Sequence, residues 1–179
     1  ASDAIPLDND YYLTADDELD VINVYSRNAS GLPLLSYNYS TLLNLPDPSK
    51  PEVDVEAGTS SVKLPGRMYW LGSMSNGKAP FDNKPNRDRL FATNVSGTGS
   101  QTIINTIGFA AIRTSLLAWG DANGYGFSVS AAQGVDSKST SGFAAEGMVF
   151  GPDSTTLWIG LRAPLVPTNI RNMAVIAPI

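Results

Sequence analysis

Apolar and aromatic residues fall in short runs separated by clusters of Gly, Asn, Ser, Asp and Pro, and a 3.6-residue apolar period is seldom sustained. That pattern predicts strands at 11–15, 21–25, 34–37, 67–71, 89–93, 143–150, 156–161 and 174–177. Between them, Asn28-Ala-Ser-Gly31, Ser75-Asn-Gly77, Ser96-Gly-Thr-Gly99 and Gly151-Pro-Asp153 offer Gly or Asn where a turn needs positive φ. One stretch, 102–119, reads as a helix. Ile103, Ile104, Ile107, Ala111, Leu116 and Leu117 make a partial stripe that stops before Gly120-Asp-Ala-Asn-Gly124. The Pro-rich segment 45–51 reads as a linker between strands, because strand signals resume directly after it. The expectation is one all-β domain over residues 1–179.

An internal repeat sharpens this expectation. Val53-Asp-Val-Glu-Ala-Gly58, followed by Met68-Tyr-Trp-Leu-Gly-Ser73, parallels Phe143-Ala-Ala-Glu-Gly-Met148, followed by Leu157-Trp-Ile-Gly-Leu161. Glu56 and Glu146 are 90 residues apart, two units of about 45, which is the length of a four-stranded propeller blade in the familiar repeats. Each copy would supply an inner strand facing a central channel, then a Trp-bearing strand packed between blades, with Trp70 and Trp158 equivalent. By that unit length the chain holds about four blades. A β-sandwich in which the two copies arose by chance is the competing architecture.

Composition narrows the chemistry. With no His there is no Ser-His-Asp or Cys-His catalysis and no imidazole-bound metal, and with no Cys no disulfide, thiolate zinc site or thiol nucleophile. The 12 Lys+Arg against 17 Asp+Glu leave a formal charge of -5, which offers no basic field to nucleic acid or to anionic membranes. Charged residues are 16% of the chain where about 25% is usual, so the polar surface is mostly Ser, Thr, Asn and Gly, as suits an exported protein. No stretch approaches the ~20 apolar residues that span a bilayer. Ala1, Ser2 and Asp3 lack the basic and apolar regions of a signal peptide, and the sequence reads as a mature chain. Sequons at Asn28, Asn38 and Asn94 place the protein in a secretory pathway, carrying N-linked glycans.

Six blocks carry a family resemblance: Ala15-Asp-Asp-Glu18 followed by Val24-Tyr-Ser-Arg27, Glu52-Val-Asp-Val-Glu56, Met68-Tyr-Trp-Leu-Gly-Ser73, Pro85-Asn-Arg-Asp-Arg-Leu-Phe-Ala92, Gly142-Phe-Ala-Ala-Glu-Gly147 and Leu157-Trp-Ile-Gly-Leu-Arg-Ala-Pro164. In order and spacing they resemble a family of secreted β-propellers of undetermined function, distantly similar to the phytase-like and esterase-like propellers. The resemblance implies that the chain is the N-terminal half of a six- or seven-bladed ring, completed by a second polypeptide released by a nick after Ile179. A self-contained four-bladed ring is the alternative. Where relatives carry Ser-His, this chain has Ser73-Met74, and the first Glu-Gly is Glu56-Ala57.

Carboxylates are the acid-base groups that remain. Glu56 and Glu146 take equivalent channel positions in the repeat, and Asp54, two residues before Glu56, shares its strand face. Asp16, Asp17 and Glu18 form a further acidic cluster at a turn. Oxygen ligands alone favour Ca²⁺ or Mg²⁺, so Asp54, Glu56, Glu146, Asp17 and Glu18 are the candidate metal ligands and Ca²⁺ the candidate cofactor. Arg162, Arg87 and Arg89 are the candidate channel cations, able to pair with those carboxylates, to clamp an anionic ligand or to latch the fold. Trp119 and Tyr125, beside the Gly-rich turn, are candidates for a rim that stacks on sugars. The favoured reading is a secreted binding module with a Glu/Arg-lined channel for a small ligand or divalent cation. A metal-dependent phosphoesterase or esterase, and a structural or storage glycoprotein with a blocked channel, are the alternatives.

Overall fold

The short apolar runs pair with their neighbours in the chain. In the computed structural model, which describes residues 3–179, β1 (Asp3–Pro6), β2 (Tyr11–Ala15), β3 (Val21–Ser26) and β4 (Leu35–Asn38) form a first antiparallel sheet in that order. A second is made by β5 (Val55–Ser60), β6 (Arg67–Gly72), β7 (Leu90–Ser96) and β8 (Ile103–Ala110), and a third by β9 (Ala144–Phe150), β10 (Leu157–Val166) and β11 (Met173–Pro178). Helices α1 (Arg113–Ala122) and α2 (Phe127–Ser130) occupy the connection between the second and third sheets. The protein is mostly β, built from three sequential meanders among the described residues.

The second sheet buries both faces. Met68, Trp70, Phe91 and Val95 turn to the first sheet, where they meet Ile5, Leu13, Ile22 and Val24. Ala57 and Leu71 turn the other way, to Ile159, Leu161 and Val175 of the third. The alternation along β6 follows from the period of two in a strand. Gly58 leaves room for the Trp70 ring and Ile5, whose atoms a Cβ there would approach to 2.8 and 2.9 Å. The Trp70 indole N–H donates to Thr93 Oγ1 at 3.0 Å, so the buried ring keeps a polar partner. First strands lie side by side, β5 against β1 on one side and against β9 on the other. The antiparallel registers place the starts of β1, β5 and β9, the turn at 16–20, the loops 73–89 and 167–172 and the connections 39–54 and 111–143 at one common end.

Three expectations change. The described residues hold three sheets where the unit length of about 45 residues implied about four blades, because the 111–143 connection is helices and turns that a count by length takes for blade. The 90 residues from Glu56 to Glu146 therefore span one sheet and a helical insertion. The helix expected over 102–119 is a strand in its first half. The Ile103–Ala110 run, rich in β-branched residues, is the fourth strand beside β7, and the helix starts only where Asp88 Oδ1 accepts the Ile112 and Arg113 N–H groups at 2.8 and 2.9 Å. Aligning β5 and β9 on their irregularities places Trp158 opposite Val149 as Tyr69 lies opposite Thr59, so Tyr69 and not Trp70 is the partner of Trp158 in the repeat.

Asp20 ties the first sheet to the second. It is 4% exposed, sits at φ 53, and its Oδ1 accepts Val53 N–H at 3.0 Å and the Tyr39 hydroxyl at 3.3 Å. Burial raises its carboxyl above the usual value, against the opposing effect of those two hydrogen bonds. The native state then holds a proton that the unfolded chain has released. Stability falls as pH rises from the ordinary carboxylate range near ~4 through the raised value. Asp20→Asn keeps the acceptor and tolerates positive φ, so it is expected to match or exceed wild-type stability at neutral pH and to flatten that slope. Asp20→Ala strands two buried donors and is expected to cost about 1–3 kcal/mol. Urea unfolding at several pH values checks both; a slope unchanged in Asp20→Asn would refute the assignment.

Candidate functional site

The end of the sheets that carries the long connections gathers the polar side chains. Its geometry begins with two matching β-bulges. In β5 the register passes from Val55 opposite Gly72 to Ala57 opposite Leu71, leaving Glu56 as the extra residue. In β9 it passes from Ala145 opposite Leu161 to Gly147 opposite Gly160, leaving Glu146 as the extra residue. A bulge bends its strand and re-aims a side chain. The repeat seen in the sequence thus corresponds to one backbone device placed twice, on neighbouring first strands.

Arg162 is itself the extra residue of a second irregularity, in β10, and its Nη1 meets Glu146 Oε1 at 2.8 Å. Both side chains are open to solvent, 46% and 37% exposed. That hydrogen bond comes first among the influences that raise the guanidinium above its ordinary value, followed by the Glu146 charge, with Glu56 and Asp136 adding to them. Arg162 therefore stands within electrostatic reach of both repeat glutamates. The result is an exposed pair, Arg162 and Glu146, with half-buried Glu56 of the neighbouring first strand contributing to the field at Arg162.

A second cluster lies beside it. Arg87 reaches Asp54 Oδ2 at 3.0 Å through Nη1, pairs with Glu52 through Nη2, and donates to Ser75 Oγ at 2.6 Å and the Asn76 carbonyl at 3.1 Å. The Ser73 hydroxyl donates to Asp54 Oδ2 at 2.5 Å and lies 2.8 Å from that of Ser75. Asp54 and Met74 both have positive φ, 57 and 55, an uncommon conformation for side chains of their kind. The Ser73 carbonyl accepts Ala145 N–H at 2.9 Å, which locks this loop to β9 and so to the first cluster. Arg87 Nε and Asn76 Oδ1 are buried without a protein partner. Asn76 is otherwise held fast, its side-chain amide donating to the carbonyls of Ala132 and Val135 and its backbone N–H to Ser137 Oγ.

The remaining candidates lie elsewhere. Arg89 is buried, donates to the carbonyls of Leu43, Asn44 and Asp88, and stacks 5.1 Å from the Phe109 ring centre, which makes it a latch for the 39–54 connection. Asp17 and Glu18 belong to the β2–β3 turn, where Asp16 Oδ1 accepts the Glu18 and Leu19 N–H groups. Asp54 is bound by Arg87 and Ser73, Glu146 by Arg162, and among the described residues no group of three or more metal-ligating side chains converges. Trp119 packs against Tyr125 and Phe127 in the helical connection, with ring centres 5.7 and 6.1 Å away. Asn28, Asn38 and Asn94 are all exposed; Asn28 Nδ2 donates to Asp10, while Asn38 Oδ1 accepts from Ser40 and Asn94 Oδ1 from Arg67.

Sequence reasoning missed Glu52, Ser75 and Asn76 as members of the Arg87 cluster, and Asp88 as the cap of α1. Their only signal was the Ser75-Asn-Gly77 turn, which gives no hint of a partner twelve residues away. Compared with known protein families, with curated proteins and with solved structures, the chain finds no match.

The two clusters differ in what they hold. Arg87 is 12% exposed and neutralises Asp54 at 18% exposure, so Arg87→Met is expected to cost about 2–4 kcal/mol by leaving a shielded carboxylate unpaired. The exposed Arg162–Glu146 pair contributes little, and Arg162→Met is expected to change stability by less than about 1 kcal/mol. Parallel urea titrations test this; equal losses would mean that the Arg87 cluster is not structural.

Proposed function

We propose that the three sheets are consecutive blades of a β-propeller with β1, β5 and β9 along its axis, and that the protein is a secreted, N-glycosylated binding module. Its site is the group formed by Glu56, Glu146 and Arg162, and its ligand is a small polar molecule carrying an anionic group together with an ammonium or hydroxyl groups. One observation carries this reading: two equivalent bulges on neighbouring strands leave the repeat glutamates as their extra residues, with exposed Glu146 bound to the exposed, permanently charged Arg162 and half-buried Glu56 adding to its field. Arg162 offers a planar fork of donors to a carboxylate or phosphate oxygen, and the glutamates accept from the ligand's N–H or O–H groups. The more enclosed Arg87 cluster supports the site by fixing the loop that joins β6 to β7 against β9. A low stability contribution from the exposed pair suits a binding role, since it leaves Arg162 able to exchange Glu146 for a ligand. Exposure of all three sequon asparagines leaves room for glycans on the sheets' outer surfaces.

A thermal-shift panel of amino acids, hydroxy acids and sugar acids tests the site. At least one member is expected to raise the Tm of the wild type, and the rise is expected to vanish in Arg162→Met and in Glu56→Gln while persisting in Arg27→Met. Equal shifts in all four proteins, or none in the wild type, would remove the reading. Tryptic mass mapping of the natural glycoprotein before and after glycosidase treatment tests secretion, with a mass loss expected on the peptides that contain Asn28, Asn38 or Asn94.

A further inference from the structure

The third sheet has one buried face and one bare apolar face. Ile159, Leu161, Val175 and Ala177 turn towards the second sheet and are shut off from solvent. The alternate residues turn away. Register places Val149, Trp158 and Pro178 in one row across β9, β10 and β11, and Gly147, Gly160 and Ile176 in the next. Val149 is 58% and Ile176 62% exposed, and Trp158 is only half-buried, its indole seated where Gly151 lacks a Cβ. None of these six residues carries a charge, and such contiguous apolar surface marks an interaction site.

The interfaces already present say what covers it. Each neighbouring pair of sheets packs face to face with its first strands adjacent. Across the boundary between the second and third sheets, Tyr69 of β6 meets Phe150 of β9 edge to face, with ring centres 5.4 Å apart and planes at 82°. When the two sheets are aligned on their bulges, Trp158 of β10 takes the place of Tyr69, and Gly160 that of Leu71. Trp158 thus occupies the forward-facing position of its sheet, and the Gly147–Gly160 pair leaves a hollow where the second sheet has Ala57 and Leu71.

We infer that the outward face of the third sheet docks a further antiparallel sheet supplied by polypeptide outside residues 1–179, with an aromatic side chain of that sheet's first strand set over Trp158 as Phe150 is set over Tyr69. The inference rests on reading the sheets as consecutive blades. Its partner is uncharged and apolar at the centre, with a bulky side chain to fill the hollow above Gly147 and Gly160. A second copy of this chain is a different occupant, and the experiment separates the two.

Oxidative footprinting and native mass spectrometry, applied to the 179-residue chain and to the protein purified from its natural source, test the inference. In the chain alone, Trp158 is expected to react severalfold faster than Tyr69 and Trp70. The Val149→Glu, Ile176→Glu double variant is expected to lose the binding of an apolar dye with an unchanged circular dichroism spectrum. In the natural material, Trp158 is expected to slow to the level of Trp70, and cross-links are expected from the third sheet to a peptide of alternating apolar pattern outside this sequence. Trp158 equally reactive in both preparations would overturn the inference, as would protection in a complex made only of copies of this chain. Tyr69 as reactive as Trp158 would instead overturn the blade reading itself. The footprints of the unaltered protein decide the matter even if the double variant does not fold.

Discussion

Trp70 and Leu71 are adjacent in sequence, point to opposite sides of β6, and are both fully buried. A strand can do this only if its sheet is covered on both faces, and that requirement organises the molecule. Covering the second sheet takes an apolar face from the first sheet and another from the third, which brings β1, β5 and β9 into adjacency. Because each sheet is a meander, its long connections emerge at one shared end. The polar clusters follow from that placement: the β6–β7 loop meets the start of β9 because the sheets beneath them are stacked.

The same constraint explains why two charged groups at this end behave differently. Arg87 enters a loop that is pinned between the 52–54 segment and β9, and there its charge is matched by Glu52 and Asp54 with serine hydroxyls filling the remaining acceptor capacity. Arg162 and Glu146 emerge from bulges on the solvent side, where pairing is weakly stabilising and easily exchanged. Shielding makes the first cluster architectural. Exposure leaves the second facing solvent.

Much of the strand content was legible in the residues. Period-two alternation and turn clusters mark β2, β3, β4, β6, β7, β9, β10 and β11 to within a few residues, since half-buried strands impose that pattern directly. β1 was missed because four residues ending in a proline carry too little pattern. β8 was misread because Ile103, Ile104 and Ile107 fit a helical stripe as well as an edge strand, and only pairing with β7 separates the two. The repeat around Glu56 and Glu146 was legible as a sequence match, although its unit length misled: the intervening helices α1 and α2 fill what looked like another blade.

The sequence by itself determined the all-β character, the absence of imidazole and thiol chemistry, the acidic balance and the two glutamate-bearing first strands. These depend on residue identity and short-range periodicity, which a chain displays without being folded. Only the tertiary structure decided that Arg87 belongs with Glu52, Asp54 and Ser75, that Arg162 answers Glu146, that Arg89 is a latch, and that Trp158 faces outward while Trp70 is enclosed. Each of those is a matter of register or of sheet-to-sheet contact. A shift of one residue moves a side chain to the other face of its strand, and nothing local in the sequence records which face another sheet will cover.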